Sequence, residues 1–102
     1  MEININENNT VITVYLKGRM DTPAAQEVSP QMLALQDKAD NTIVLDCSEL
    51  TYISSSGLRI FLTLRKAAAV KGGKVIIKNI NDDIRSVFMM TGFLNLFEIE
   101  EA

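Results

Sequence analysis

The spacing of apolar residues changes period several times along the chain. Ile3-Asn4-Ile5 alternates with period two, and Val11-Ile12-Thr13-Val14-Tyr15-Leu16 is β-branched and aromatic. Between them, Asn6-Glu7-Asn8-Asn9-Thr10 supplies turn residues. This pattern predicts two strands joined as a hairpin, with Gly18 ending the second. Asp21-Thr22-Pro23 then looks like a helix entry, because Asp or Thr can cap and Pro suits an early helical position. A helix running through Pro30 would lose a backbone hydrogen bond and kink. The regular helix is therefore expected from Gln26 or Glu27, with residues 22–25 as an irregular approach. Val28, Met32, Leu33 and Leu35 would form its buried face, and Asp40-Asn41 would stop it.

Thr42-Ile43-Val44-Leu45 is short and nearly all apolar, as expected of a central strand covered on both faces, or on one. Asp46-Cys47-Ser48-Glu49-Leu50 is expected to leave that strand as a loop. From Ser55 to Lys71 the period becomes helical. Leu58, Phe61, Leu62 and Ala68-Ala69 define an apolar side, widened by Ile60, Leu64 and Ala67, while Arg59, Thr63, Lys66 and Val70 follow an outward stripe. Gly72-Gly73 terminates this helix. Lys74-Val75-Ile76-Ile77-Lys78 is the next strand. Asn81 or Asp82 can cap a third helix through Ile84, Val87, Phe88 and Met90, ended by Gly92, and Phe97 to Ile99 suits an edge strand.

Strand–helix–strand repeats imply parallel pairing, and the opening hairpin makes the sheet mixed. The expected architecture is thus α/β, a mixed sheet of about four to five strands with helices mostly on one face, forming one domain over residues 1–102.

Composition narrows the function. The net charge of −3 argues against direct nucleic-acid binding, which calls for a basic patch. No apolar run reaches the roughly 18–20 residues of a membrane span, and the polar, acidic start is unlike a secretory signal. A single cysteine, Cys47, fits a reduced, cytoplasmic setting. The chain has no histidine, which removes the commonest general base and metal ligand. No cofactor or metal site is expected.

The densest polar cluster is Ser54-Ser55-Ser56-Gly57, at the start of the best helix. Free backbone N–H groups and the helix dipole favour an anion there, and simple capping is the plain alternative. A serine-nucleophile hydrolase would need an activating base, and none is evident. The Gly-rich phosphate loop ending in Gly-Lys-Ser/Thr is absent. Asp46 follows a strand as the phospho-accepting Asp of a receiver domain does, but the acidic pair and late Lys of that class are missing. A loop hydrogen-bond acceptor is the expectation for Asp46.

From Asp46 through Ser54-Ser55-Ser56-Gly57-Leu58-Arg59 the chain resembles the STAS family, specifically bacterial anti-sigma factor antagonists. Gly18-Arg19-Met20-Asp21, Gly72-Gly73-Lys74-Val75 and Met90-Thr91-Gly92-Phe93 are similar to further family motifs in the same order. The resemblance implies a partner-switching protein rather than an enzyme. It implies phosphorylation of Ser56, with Ser55 or Ser54 as alternative acceptors, by an anti-sigma factor that is a serine kinase. A PP2C-type phosphatase would reverse it. The implied partner surface comprises Tyr52, Ser54, Ser55, Gly57, Leu58 and Arg59, the outward residues Thr63 and Lys66, and Asp21. One departure is that the family's Asp two residues before the phosphoserine is Ser54 here. Some STAS domains lack the switch and act as scaffolds or as subunits of lipid-transport or stressosome-type assemblies.

Overall fold

The computed structural model describes residues 1–101. Strands β1 (Glu2–Asn8) and β2 (Val11–Met20) form the antiparallel hairpin, and helix α1 (Thr22–Leu33) runs on into a 3-10 segment, Ala34–Lys38. Strand β3 (Thr42–Ile53), helix α2 (Ser55–Lys71), strand β4 (Lys74–Lys78), helix α3 (Asp82–Thr91) and strand β5 (Glu98–Glu100) follow. The sheet order is β1-β2-β3-β4-β5, with β2 to β5 parallel. The fold is the mixed α/β sheet expected.

Alternation shows which face is covered. Ile12, Val14 and Leu16 of β2 are buried, as are Ile43 and Leu45 of β3 and Ile77 of β4, and their register pairs Ile12 with Ile43 and Val14 with Leu45. Tyr15 and Val11 on the opposite face are exposed, and Val44 is half-buried. β3 is therefore covered on one face only. Val28 and Met32 of α1, Phe61 and Leu64 of α2, and Ile84 and Phe88 of α3 join the same core. Phe88, Phe93 and Phe97 stack in sequence under the β5 edge, with ring centroids 5.5 and 5.4 Å apart.

Several boundaries differ from expectation. α1 starts at Thr22 and includes residues 22–25, because Asp21 caps it and Pro23 sits in its first turn. Pro30 lies inside the helix. Its missing N–H would have bonded the carbonyl of Gln26, and both residues are exposed, so water can serve that carbonyl. The helix gives way to the 3-10 segment well before Asp40-Asn41. β2 continues past Gly18, whose φ of 105° accommodates an irregular register, to Met20.

The largest difference is β3. Residues 46–50 are strand rather than loop, and pairing with β2 extends to Met20–Ile53 through two register shifts. β4 pairs only as far as Asp46–Lys78, so β2 and β3 project together beyond the rest of the sheet. On α3, Met90 is 86% exposed and not part of the core. Strand β5 lies at Glu98–Glu100, one residue later than expected.

Candidate functional site

The projecting end of β2 and β3 delivers two helix starts side by side. Asp21 leaves β2 as the N-cap of α1, its Oδ1 accepting from Ala24 N at 3.0 Å. Ser54 leaves β3 as the N-cap of α2, its Oγ accepting from Gly57 N at 3.3 Å. Ser54 N donates to Met20 O at 2.8 Å, which ties the two starts together. At the same end of the sheet Asn81 caps α3 through Ile84 N and donates from Nδ2 to Leu50 O at 2.9 Å. Three helix N-termini thus converge on one end of the parallel sheet, where their dipoles add a positive field.

The serines are not equivalent. Ser54 is 8% exposed and its hydroxyl is committed to the cap. Ser55 is exposed at the first helical position. Ser56 follows, half-buried, with no hydrogen bond from its hydroxyl to any described residue. Gly57 and Leu58 are buried and support the surface from beneath instead of forming it. Gly57 lies against Met20 and Ile53, where a Cβ would come within 2.6 Å of Met20 Sδ and 2.8 Å of Ile53 Cγ1. Glycine lets α2 begin this close to the sheet without displacing either side chain.

Ser56 lies at the rim of a groove of about 270 Å³ between α1 and α2. Gln26, Ser29 and Leu33 line it from α1, and Arg59 and Thr63 continue its α2 wall. The Thr63 hydroxyl donates to Arg59 O at 2.9 Å, one turn back along the helix. Lys66 is exposed but outside the groove, about 15 Å along the axis from Ser56 at 1.5 Å per residue. On the other side of the serine turn, the Arg19 guanidinium lies 4.5 Å from the centre of the half-exposed Tyr52 ring. Thr51 Oγ1 donates to Gly18 O at 3.1 Å and ties the projecting strands together.

The structure thus gathers Asp21, Tyr52 and the three serines at one end, with Arg59 and Thr63 running from Ser56 along the groove, and leaves Lys66 outside it. Sequence reasoning missed Arg19, Gln26 and Ser29. Arg19 was reachable from the period-two alternation that faces it with Tyr52, but Gln26 and Ser29 come to the site only through the packing of α1 against α2, which the helix period alone does not give.

Asp46 accepts from Ser48 N at 3.0 Å and from Asn79 Nδ2 at 3.5 Å, the structural acceptor role expected of it. Beside it, Cys47 is fully buried, and burial together with the Asp46 charge pushes its thiol up to about 12. Such a thiol is neither a nucleophile nor a metal ligand at neutral pH. Among the described residues no cluster of acidic or thiol groups could hold a metal ion, and no helix is long and apolar enough to cross a membrane.

The site is a protruding turn of hydroxyls at a helix start, flanked by a cation and an aromatic, on a one-sided mixed sheet. This arrangement defines a domain that presents a surface of hydroxyl groups at one end of its sheet. The sequence model of the STAS domain matches residues 2–102, and the chain belongs to that family. It is 28% identical over 102 residues to BtrV of Bordetella bronchiseptica, provisionally named an anti-sigma factor antagonist, covering 100% of this chain and 88% of that protein. It is 28% identical over 100 residues to the anti-sigma F factor antagonist of Paenibacillus polymyxa, covering 97% and 86%. Among solved structures it is similar to the Bacillus cell fate determinant SpoIIAA in its phosphorylated form, with a TM-score of 0.77 at 18% identity, covering 99% and 91%. The unphosphorylated form of SpoIIAA also gives 0.77, at 17% identity, covering 99% and 89%, which shows a shared fold.

Proposed function

We propose that this protein is an anti-sigma factor antagonist that binds an anti-sigma factor of the serine-kinase type and is released when Ser56 is phosphorylated. A PP2C-type phosphatase returns it to the binding form. The observation that carries this reading is the difference among the serines. Ser54 is used up as a buried cap, whereas Ser55 and Ser56, the first two residues of the helix, keep hydroxyls free of internal bonds, and of the three serines Ser56 alone lines the α1–α2 groove. The names of the relatives supply the class of partner.

The physical effect of modification follows from position. A phosphoserine carries about −1.5 to −2 charges at pH 7. In the first turn of α2 that charge sits favourably on the helix dipole and stabilises the domain by about 0.3–1 kcal/mol. Release by unfolding is therefore disfavoured. Like charges set against each other across an interface cost several kcal/mol, and every 1.4 kcal/mol is about tenfold in affinity. The interface is where the phosphate acts. Asp21, Tyr52, Ser55, Arg59 and Thr63 form the partner surface in this reading, with Lys66 at its far margin.

The test is a titration of the kinase-type anti-sigma factor with wild type, Ser56→Ala and Ser56→Asp, together with phosphosite mapping after incubation with ATP. Wild type and Ser56→Ala should bind alike and Ser56→Asp more weakly. Equal affinities, with no phosphate on Ser54, Ser55 or Ser56, would instead indicate a STAS scaffold without a switch.

A further inference from the structure

We propose that Arg59 is a built-in clamp for the Ser56 phosphate: on modification its guanidinium turns into the α1–α2 groove and pairs with the phosphate oxygens, leaving the partner-facing surface. This rests on the reading that Ser56 is the modified residue.

Four observations carry it. Ser56 and Arg59 line the same groove and are three residues apart on α2, so their Cβ atoms lie about 5–6 Å from each other, within reach of an arginine side chain. Arg59 is also uncommitted. The other three arginines are engaged, Arg19 on the Tyr52 ring, Arg65 on the Leu96 carbonyl at 2.6 Å and Arg85 with Glu101, whereas the Arg59 side chain has no ion pair or hydrogen bond among the described residues. Arg59 is, further, the one ionisable residue among those lining the groove, so no carboxylate competes there for it. Finally, the opposite wall carries the Gln26 amide and the Ser29 hydroxyl, neutral donors suited to a phosphate oxygen and of no evident use to an apolar occupant.

A guanidinium offers a planar fork of donors that matches phosphate oxygens two at a time, which an ammonium does not. The consequence for switching is twofold. Phosphorylation adds a dianion and also withdraws the Arg59 cation from the surface, so the partner meets a reversal of charge at one spot.

The test uses the full chain with phosphoserine placed at position 56 during synthesis, so that it holds whether or not any kinase modifies that residue. The second ionisation of the phosphate is followed by phosphorus NMR at physiological salt, in wild type and in Arg59→Ala, Arg59→Lys and Lys71→Ala. Lys71 is fifteen residues from Ser56, about 22 Å along the helix and well beyond the screening length of about 8 Å. The clamp predicts that Arg59→Ala raises the titration midpoint by several tenths of a pH unit and that Arg59→Lys recovers only part of this. Lys71→Ala should change nothing. The Arg59 Nε–H should also become protected from exchange only in the phosphorylated protein. Identical midpoints in wild type and Arg59→Ala would overturn the clamp. Full recovery with lysine would overturn it too, since a general field of one positive charge would then suffice. Failure of the switch itself would appear separately, as absence of phosphate on Ser56 after incubation with the kinase.

Discussion

The backbone N–H of Ser54 donates to the carbonyl of Met20 at 2.8 Å, and each residue stands at the exit of a strand into a helix. Met20 precedes the Asp21 cap of α1, and Ser54 is itself the cap of α2. This bond, with the Met20–Ile53 pairing beneath it, sets the spacing of two helix starts and so the groove between them. The site is held from below by strands rather than by its own loop.

That arrangement makes Ser54 a structural residue. Ser54→Ala should lose about 0.5–2 kcal/mol in urea denaturation, the range for a lost cap. Ser54→Asp keeps a capping oxygen and adds a charge that suits the dipole, for a gain of up to about 1 kcal/mol. An alanine variant as stable as wild type would show that the cap is dispensable.

Ser56→Ala should behave differently although it is only two residues away. The cap belongs to Ser54, so the loss should stay within about 0.5 kcal/mol. Ser56→Asp should raise thermal stability while weakening partner binding. Parallel melting curves and binding titrations of both variants check this opposition of signs. A variant that lost stability and affinity together would point to unfolding as the cause of release.

Gly57→Ala pits two effects against each other. Alanine favours the helix by about 0.8–1 kcal/mol. Its methyl would crowd Met20 and Ile53, which are both buried, and overpacking costs about 1–3 kcal/mol. The crowding should win by about 1 kcal/mol, lowering the melting temperature by about 4–8 °C for a domain of this size. An unchanged or higher melting temperature would mean that Met20 can move aside without loss.

Cys47 gives a prediction in pH. Its thiol is raised from 9.0 to about 12 in the fold, chiefly by burial and secondarily by Asp46. Above pH 9 the unfolded chain releases this proton while the native state keeps it, so the stability present below pH 9 is lost as pH rises toward 12. Comparing the alkaline slope of unfolding free energy in wild type and Cys47→Val isolates this contribution, and the valine variant should be flatter. In the native protein at pH 8 the thiol should react with a thiol-specific reagent only as fast as the chain opens. Rapid labelling without unfolding would contradict the burial.

Helix α2 was legible from the sequence because its signals are local. A serine before the apolar period and Gly72 after it, at a φ of 83°, set both ends from within the segment. The same holds for Asn81 and Gly92 around α3. The projecting half of β3 was not legible. Asp46, Ser48 and Glu49 are polar and resemble a loop, and they become strand only because β2, far away in sequence, offers a parallel edge with a shifted register. Pro30 likewise misled, since its cost depends on whether the carbonyl it leaves unpaired faces water, which is a property of the packed helix. The serine cluster could be recognised as a helix start from its residues alone. Which serine is consumed as the cap, which serine faces the groove, and which arginine stands uncommitted beside it were decided by tertiary structure, because hydrogen bonds and burial depend on neighbours that the chain brings together only on folding.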